Sequence, residues 1–288
     1  MTVQRISGPE AFLARAGAFL ERDEVAHNLI LGIARRVAAG HRVGQGEPLF
    51  AVVSGPPPDG VAALVGPVVG AILWTPPWRA VLSRMTTESA LALAGAMHAW
   101  GAQPGGVVGP VESAHPLCEQ LARLGARRTR LGREMRAFEL RAVIPAPPTP
   151  GLCRRGEPED SSLVERWYAA FWLDAQLSDP ADPREAGAAA VREGRIFLWE
   201  VDGQPVSLAA AGRTTPGGAS IGPVYTPPEQ RGRGYATALV AAASHLLLAD
   251  GFRFCCLFTD LANPTSNSIY PKVGYRPVCD FAELDLVG

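Results

Sequence analysis

The sequence predicts an α/β (α+β) protein that contains two tandem copies of one fold. A proline-rich stretch, residues 145–151, divides the 288 residues into two parts of ordinary domain size. Each part has a helix ended by glycine, then an apolar strand, a short helix and a second glycine. Gly101 and Gly251 are 150 residues apart, and Gly125 and Gly274 are 149 residues apart. Such constant offsets indicate an internal repeat.

The second copy has the clearer pattern of strands and helices. Residues 219–226 predict a strand that ends at two prolines, and residues 237–250 have the apolar spacing of an Ala- and Leu-rich helix. The strongly apolar residues 253–261 predict a buried strand. Asn263, followed by proline, predicts the start of a short helix, and residues 281–287 predict a last strand.

The segment between the first strand and the long helix reads Gln-Arg-Gly-Arg-Gly-Tyr-Ala, residues 230–236, and predicts an anion site. Helix N-termini bind phosphate because their first N–H groups lack partners and the helix dipole is positive there. The two glycines allow close approach to the backbone. A Walker loop is excluded, because Lys272 is the only lysine. A Rossmann fingerprint is also excluded, because it would need Gly or Ala where Thr237 stands and a further βαβ unit, for which too little chain remains after residue 250.

Within this segment, Arg231, Gly234 and Ala236 fit Arg/Gln-x-x-Gly-x-Gly/Ala. The pattern resembles the coenzyme A pyrophosphate loop of the GNAT superfamily of N-acyltransferases. The continuation is also similar, since Asn263 is followed by a short helix that carries Tyr270, then by Gly-Tyr and a last strand. The resemblance covers residues 196–287. It implies two tandem GNAT-like domains, each a mixed, mostly antiparallel sheet flanked by helices.

The resemblance also implies the reaction and the roles of individual residues. An acetyl group would pass from acetyl-CoA to a primary amine by direct attack, and the backbone of Val224, Tyr225 and Thr226 would hold the acyl carbonyl and the pantetheine arm. The loop residues that would bind the pyrophosphate are Arg231, Gly232, Arg233, Gly234, Tyr235, Ala236 and Thr237. Asn263 would contact pantetheine, with helix capping as an equally good explanation. Tyr270 would be the general acid beside the sulfur, with ring packing on the sheet as the alternative.

The general base is less clearly marked, because residues 219–226 contain no acid. Three candidates remain elsewhere, namely Asp260, Glu229 and Glu200, and a chain of water molecules is a further alternative. Asp260 ranks first because it ends the strand predicted to lie nearest the sulfur. The helical region before the sheet, where an acceptor pocket is expected, carries Trp167, Trp172 and Asp174.

The first copy lacks the residues assigned to chemistry. An offset of 149 places Tyr270 on Leu121 and Asn263 on Ala114, and it places the loop on residues 82–87, which contain no glycine. The arrangement resembles tandem GNAT proteins related to mycothiol synthase. The predicted division is therefore a degenerate GNAT-like domain without the coenzyme A loop at 1–144, a proline-rich linker at 145–151 and a catalytic GNAT domain at 152–288.

Composition narrows the choice of partners. The formal net charge of −1 gives no general attraction to nucleic acid, and no apolar run reaches membrane-spanning length. Five cysteines without a Cys-x-x-Cys motif, scattered histidines and no signal-peptide core predict a cytoplasmic protein without metal. Residues 1–144 carry a net +4 and residues 145–288 a net −5, so a cationic acceptor is favoured. The arginine cluster at 127–136 is interpreted as a solvated face, with pairing to the acidic half as the alternative.

Other function classes explain the sequence less well. Gly-x-Ser-x-Gly around Ser220 is not a hydrolase elbow, because the following prolines forbid the helix that it requires. Aminoacyl transfer by GNAT-like peptidyltransferases would predict a lost loop and a basic surface. A non-catalytic acyl-CoA-binding sensor or interaction module remains the alternative, although binding alone does not need Tyr270. A small amine, an amino acid, an antibiotic or a protein terminus would each suit as acceptor.

Overall fold

The computed structural model describes residues 1–57, 66–177 and 181–288. The chain forms two compact units. The first unit comprises Met1–Ala137, Asp260–Ala262 and Val278–Gly288, and the second comprises Phe138–Thr259 and Asn263–Pro277.

The two halves of the chain repeat the same order of elements, β-α-α-β-β-β-α-β-α-β. The first half contains β1 (Thr2–Ile6), α1 (Pro9–Leu20), α2 (Asn28–Ala38), β2 (Leu49–Ser54), β3 (Val68–Trp74), β4 (Ala80–Leu82), α3 (Thr87–Ala99), β5 (Gly106–Pro110), α4 (Val111–Leu124) and β6 (Arg128–Leu140). The second half contains β7 (Leu152–Arg155), α5 (Ser161–Asp174), α6 (Pro183–Arg192), β8 (Ile196–Val201), β9 (Gln204–Thr214), β10 (Gly218–Tyr225), α7 (Tyr235–Ala249), β11 (Phe254–Asp260), α8 (Pro264–Val273) and β12 (Arg276–Val287). The predicted α/β class and internal repeat are confirmed.

Each unit has a mixed and mostly antiparallel sheet, as the resemblance implies. In the first unit β1, β2, β3 and β4 are neighbours in antiparallel pairs, β4 and β5 are parallel, and β5 pairs antiparallel with β12. In the second unit β7, β8, β9 and β10 form antiparallel pairs, and β10 and β11 are parallel.

The last strand completes the sheet of the first unit. Phe281 to Asp285 of β12 pair with Pro110 to Gly106 of β5, and Phe281 is fully buried. The predicted division had grouped this strand with residues 152–288, whereas Val278–Gly288 belong to the first compact unit. Backbone pairing accepts any strand of suitable polarity and length, so the sequence does not specify which copy the strand completes. The predicted domain division itself stays a prediction.

The proline-rich segment lies on the second unit and is anchored there. The indole Nε1 of Trp199 donates a hydrogen bond to the carbonyl of Pro150 at 2.8 Å. Just before the segment, the N–H of Ile144 donates to the carbonyl of Val273 at 2.8 Å. Gly151 has a φ of 108°, and a Cβ there would collide with the carbonyl of Glu200. The segment is therefore fixed at both ends, unlike a free spacer.

The arginine cluster of β6 pairs with acids of the same unit. Arg136 makes a bidentate pair with Asp280 at 2.6 and 2.9 Å. Arg130 meets Asp285 at 2.9 Å. These pairs are partly exposed, so each is worth about 0–1 kcal/mol. They show that the cluster is paired with acids near the end of the chain and is not simply a solvated face.

Two core clusters flank the sheet of the second unit, one under α7 and α8 and the other under α5 and α6. Leu239, Val240 and Leu247 of α7 are buried against Phe197 of β8 and Leu257 of β11. Because α7 is apolar around most of its circumference, packing against the sheet holds it in position. Its N-terminus therefore has a defined position near the end of β10. Across the described residues, no helix is both long and apolar enough to cross a bilayer. The same residues contain no group of three or more His, Cys, Asp or Glu side chains that could hold a metal ion.

Candidate active site

A cavity of about 680 Å³ opens in the second unit among the end of β10, the start of α7, α8 and the end of α5. Most of the predicted site residues line it, namely Val224, Tyr225, Thr226, Arg231, Gly232, Gly234, Tyr235, Ala236, Thr237, Asn263 and Tyr270. Arg233 and Asp260 are not among the lining residues that the structure describes. The fold thus brings the loop residues and the proposed acid, which are 33 or more residues apart in sequence, to one cavity.

The loop before α7 has the backbone geometry of an anion site. Gly232 has a φ of 77°, and Gly234, the N-cap of α7, has a φ of 84°. The first helical bond runs from the N–H of Ala238 to the carbonyl of Gly234 at 3.0 Å, so the earlier N–H groups have no partner within the helix. Among the described residues, no side chain caps this end. A phosphate would satisfy these groups, and the loop therefore fits a diphosphate.

The equivalent helix of the first unit is closed. Only residues 83–86 link β4 to α3, compared with residues 226–234 between β10 and α7. The hydroxyl of Thr86 accepts a hydrogen bond from the N–H of Ser89 at 3.3 Å, which caps the helix with its own chain. The predicted absence of the loop from the first copy agrees with this difference.

Strand β10 supplies a backbone edge to the cavity. Its parallel ladder with β11 extends only from Gly218 to Ser220, whereas its pairing with β9 continues to Val224 and Tyr225. The hydroxyl of Ser207 donates to the carbonyl of Tyr225 at 3.2 Å and lies 2.8 Å from the hydroxyl of Thr226. The β9 side of this strand end is thus fixed, and its β11 side is left to the cavity.

Tyr270 on α8 is 8% exposed and contributes to the cavity wall. Burial raises the pKa of its hydroxyl to about 12, and a hydrogen bond with Ser266 opposes that rise. Its ring centroid lies 6.2 Å from Phe138 and 5.9 Å from Tyr275. The ring therefore packs against its neighbours, as the alternative explanation of Tyr270 expects. The hydroxyl keeps its proton at neutral pH, as a hydrogen-bond donor in the cavity must.

Asn263 begins α8 and caps it. Its Oδ1 accepts a hydrogen bond from the N–H of Ser266 at 3.1 Å. The capping role is therefore observed. Asn263 also lines the cavity, so a contact with pantetheine stays a prediction.

Comparison with known proteins identifies the part of the chain that contains this cavity. Residues 162–275 match the family model of the acetyltransferase (GNAT) family. This region is a GNAT domain. Members of that family transfer acyl groups from acetyl-CoA, as the sequence analysis expected. No match was found among curated proteins.

Solved structures show the tandem GNAT fold over the whole chain. An acetyltransferase from the GNAT family from Colwellia psychrerythraea is 9% identical, covers 100% of this chain and 99% of its own, and has a TM-score of 0.57. A GCN5-related N-acetyltransferase from Sphaerobacter thermophilus is 19% identical over 99% of this chain and 95% of its own, with a TM-score of 0.57. A tandem GNAT protein from the clavulanic acid biosynthesis pathway is 13% identical over 100% and 99%, also with a TM-score of 0.57. These identities establish the fold alone.

Arg231 of the GNAT domain is held by three groups. Its Nε donates to the carbonyl of Thr226 at 2.9 Å, and its Nη2 forms a short ion pair with Asp174. The guanidinium carbon lies 5.9 Å from the ring centroid of Tyr225. Arg233 instead donates to the carbonyl of Glu229 at 3.3 Å and lies at the surface.

The three candidate bases differ in their surroundings. The carboxylate of Asp260 accepts the N–H of Ala262 at 2.7 Å and lies 3.4 Å from Arg133. It belongs to the first compact unit. Glu200 is paired with Arg154 at 2.6 Å. Neither these two nor Glu229 are among the described lining residues, and the assignment of Asp260 as base stays a prediction.

Sequence reasoning missed several residues of the GNAT cavity. Asp174, which had been placed in the acceptor region, does line it, whereas Trp167 and Trp172 are not among the described lining residues. The cavity residues that had not been predicted are Phe171, Ala175, Gln230, Val240, Thr265, Ser266 and Ile269. Ser266 precedes Tyr270 by four residues on one helix, so helical spacing would have found it.

Proposed function

We propose that the second unit transfers an acetyl group from acetyl-CoA to a primary amine by direct attack. The observation that carries the proposal is that the uncapped N-terminus of α7 and the protonated hydroxyl of Tyr270 open on the same cavity. A diphosphate site and a proton donor in one cavity are what a thioester of coenzyme A requires, since the diphosphate must be held and a thiolate must leave at the far end of the pantetheine arm.

The loop binds and the strand orients in this proposal. The unpaired N–H groups at the start of α7, with Gly232 and Gly234, hold the diphosphate through backbone donors and the helix dipole. The open edge of β10 at Val224 and Tyr225 positions the acyl carbonyl, where a backbone N–H stabilises the negative charge that develops on its oxygen. Tyr270 donates its proton, wholly or in part, to the departing sulfur.

The amine must be neutral before it attacks. Asp260 is the base proposed from the sequence, and protonation of its carboxylate would weaken its contacts with Arg133 and Ala262. The variant Asp260→Asn tests the assignment. A lower kcat/KM at pH 7 that recovers near pH 10, where free amine is abundant, would support Asp260. Wild-type rates at both pH values would remove Asp260 from the mechanism and leave Glu229, Glu200 or a chain of water molecules to accept the proton.

Calorimetry with coenzyme A tests the loop with a matched control. Gly232 and Gly203 have φ values of 77° and 75°, and a Cβ at either would meet nothing within 4 Å. Both Gly232→Glu and Gly203→Glu therefore carry similar backbone strain, but only the first adds a carboxylate at the phosphate site. We expect one coenzyme A per chain in the wild type, no binding in Gly232→Glu and unchanged binding in Gly203→Glu.

An amine panel separates the enzyme from the sensor. Thiol release from acetyl-CoA that depends on an added amine would support acetyl transfer. Tight binding of coenzyme A without thiol release for any small amine, amino acid, antibiotic or peptide terminus would favour the non-catalytic acyl-CoA-binding module.

In the calorimetry of the two glycine variants, loss of coenzyme A binding in Gly203→Glu as well as Gly232→Glu would refute the assignment of the loop.

A further inference from the structure

One ion pair joins the two sides of the cavity. Asp174 lies at the end of α5, and Arg231 lies in the loop before α7, 57 residues later. Both line the cavity, and their side chains are 48% and 50% exposed. The cavity therefore holds an acid on the side of α5 that is neutralised by a cation from the phosphate loop.

The guanidinium of Arg231 has competing uses. Its Nε is bonded to the carbonyl of Thr226, and its plane lies near the ring of Tyr225, which leaves the Nη side toward Asp174. A diphosphate carries more negative charge than one carboxylate and binds arginine through the same N–H groups. Binding at the loop thus competes with Asp174 for Arg231.

We propose that this ion pair couples acyl-CoA binding to the binding of a cationic acceptor, with Asp174 as the carboxylate that recognises the acceptor. When the diphosphate draws Arg231 away, Asp174 is left without a counter-charge at the cavity wall. A positive group on the acceptor, separate from the amine that is acetylated, then replaces the arginine. Phe171 and Tyr225, which also line the cavity, present aromatic surface that favours a cation. This inference rests on the proposed function.

The size of the coupling follows from the exposure of the pair. Binding of the diphosphate and binding of the cation both require the partly exposed ion pair between Asp174 and Arg231 to break. Such a pair changes the affinity for a ligand about 1.5- to 5-fold. Linkage requires the effect to be reciprocal, so the cation and coenzyme A must raise each other's affinity by the same factor.

Coenzyme A binding tests the first half of the proposal by calorimetry. We expect Asp174→Asn to bind coenzyme A about 1.5- to 5-fold more tightly than the wild type, because Arg231 is released. In the background of Arg231→Gln the same substitution should have a smaller effect. Asp250→Asn is the matched control, since Asp250 pairs with Arg155 at 46% and 49% exposure at the other end of α7. It should leave the affinity unchanged.

A charged and an uncharged ligand of equal length test the second half. We expect coenzyme A to raise the affinity for 1,5-diaminopentane about 1.5- to 5-fold in the wild type, but to leave the affinity for n-pentanol, which carries no charge, unchanged. Asp174→Asn should abolish the difference. Equal responses to both ligands, or no diamine binding, would overturn the proposal. If the wild type binds coenzyme A and Asp174→Asn does not bind it more tightly, this inference fails alone. If the wild type does not bind coenzyme A, the proposed function fails.

Discussion

Replacement of Tyr270 by phenylalanine should slow acetyl transfer and leave the affinity for coenzyme A nearly unchanged. The ring keeps its contacts with Phe138 and Tyr275, so the variant loses only the hydroxyl. A group that assists the departing thiolate acts mainly in the transition state, and its loss appears in the rate of the chemical step.

The pKa of Tyr270 sets the magnitude. With a pKa of about 12, complete proton transfer to a thiolate whose acid has a pKa of about 8.5 is unfavourable by about 5 kcal/mol. The hydroxyl therefore assists chiefly as a hydrogen-bond donor to developing charge, which is worth about 1.5–3 kcal/mol. We expect the single-turnover rate to fall about 10- to 150-fold.

The pH dependence gives a second test. A phenol with a pKa of about 12 stays protonated from pH 7 to pH 10, so the ratio of wild-type to variant rates should be constant over that range. The measurement is thiol release in single turnover, with enzyme in excess over acetyl-CoA, so that product release does not mask the step.

A buried tyrosine in the same cluster provides the control. Tyr275 bonds to the hydroxyl of Ser244 at 2.9 Å and is not among the described cavity residues, so Tyr275→Phe should keep a near wild-type rate. Equal rates in wild type and Tyr270→Phe would remove Tyr270 from the mechanism. A ratio that shrinks between pH 8 and pH 10 would refute the raised pKa. A parallel collapse of coenzyme A affinity would make Tyr270 a packing residue.

Three further outcomes are expected. Asn263→Ala should lower the free energy of unfolding by about 1 kcal/mol in urea titrations, whereas Asn263→Ser should retain the cap; coenzyme A affinity that falls in both variants would show a direct contact with pantetheine. Because the pKa of Tyr270 rises from 10 in the unfolded chain to about 12, its share of stability is complete below pH 10 and is lost as pH rises toward 12, about 3 kcal/mol in all. Tyr270→Phe should flatten the alkaline fall in stability, and an identical slope would contradict this reasoning. Calorimetry should find one coenzyme A site per wild-type chain and none in Gly234→Glu, and two sites in the wild type would contradict the prediction that the first copy lacks a coenzyme A loop.

Local sequence was sufficient wherever a backbone conformation needs a particular residue. Gly232 and Gly234 both have positive φ, which glycine adopts at little cost. Asn263 caps the helix whose first residue is a proline. The long helix was predicted from residue 237 and begins at Tyr235. This boundary shifted because the loop glycine itself is the N-cap.

Contacts between distant segments were less accessible from the sequence. The role of Asp174 as the partner of Arg231 depends on where the end of α5 meets the loop before α7. The contact between Asp260 of β11 and Arg133 of β6 arises from the pairing of these two strands, which no local pattern records. Both features depend on side chains that come together only after the sheet has formed.

By itself the sequence determined the internal repeat and the order of helices and strands from residue 219 onward, and it predicted the phosphate loop, because hydrophobic period, helix caps and glycine conformation are local properties of the chain. Only the tertiary structure decided that β12 completes the sheet of the first unit, that the proline-rich segment is anchored on the second, and that burial raises the pKa of Tyr270. Strand partners and the burial of a hydroxyl depend on non-local packing, in which one edge or one cavity wall is built from segments far apart in the chain.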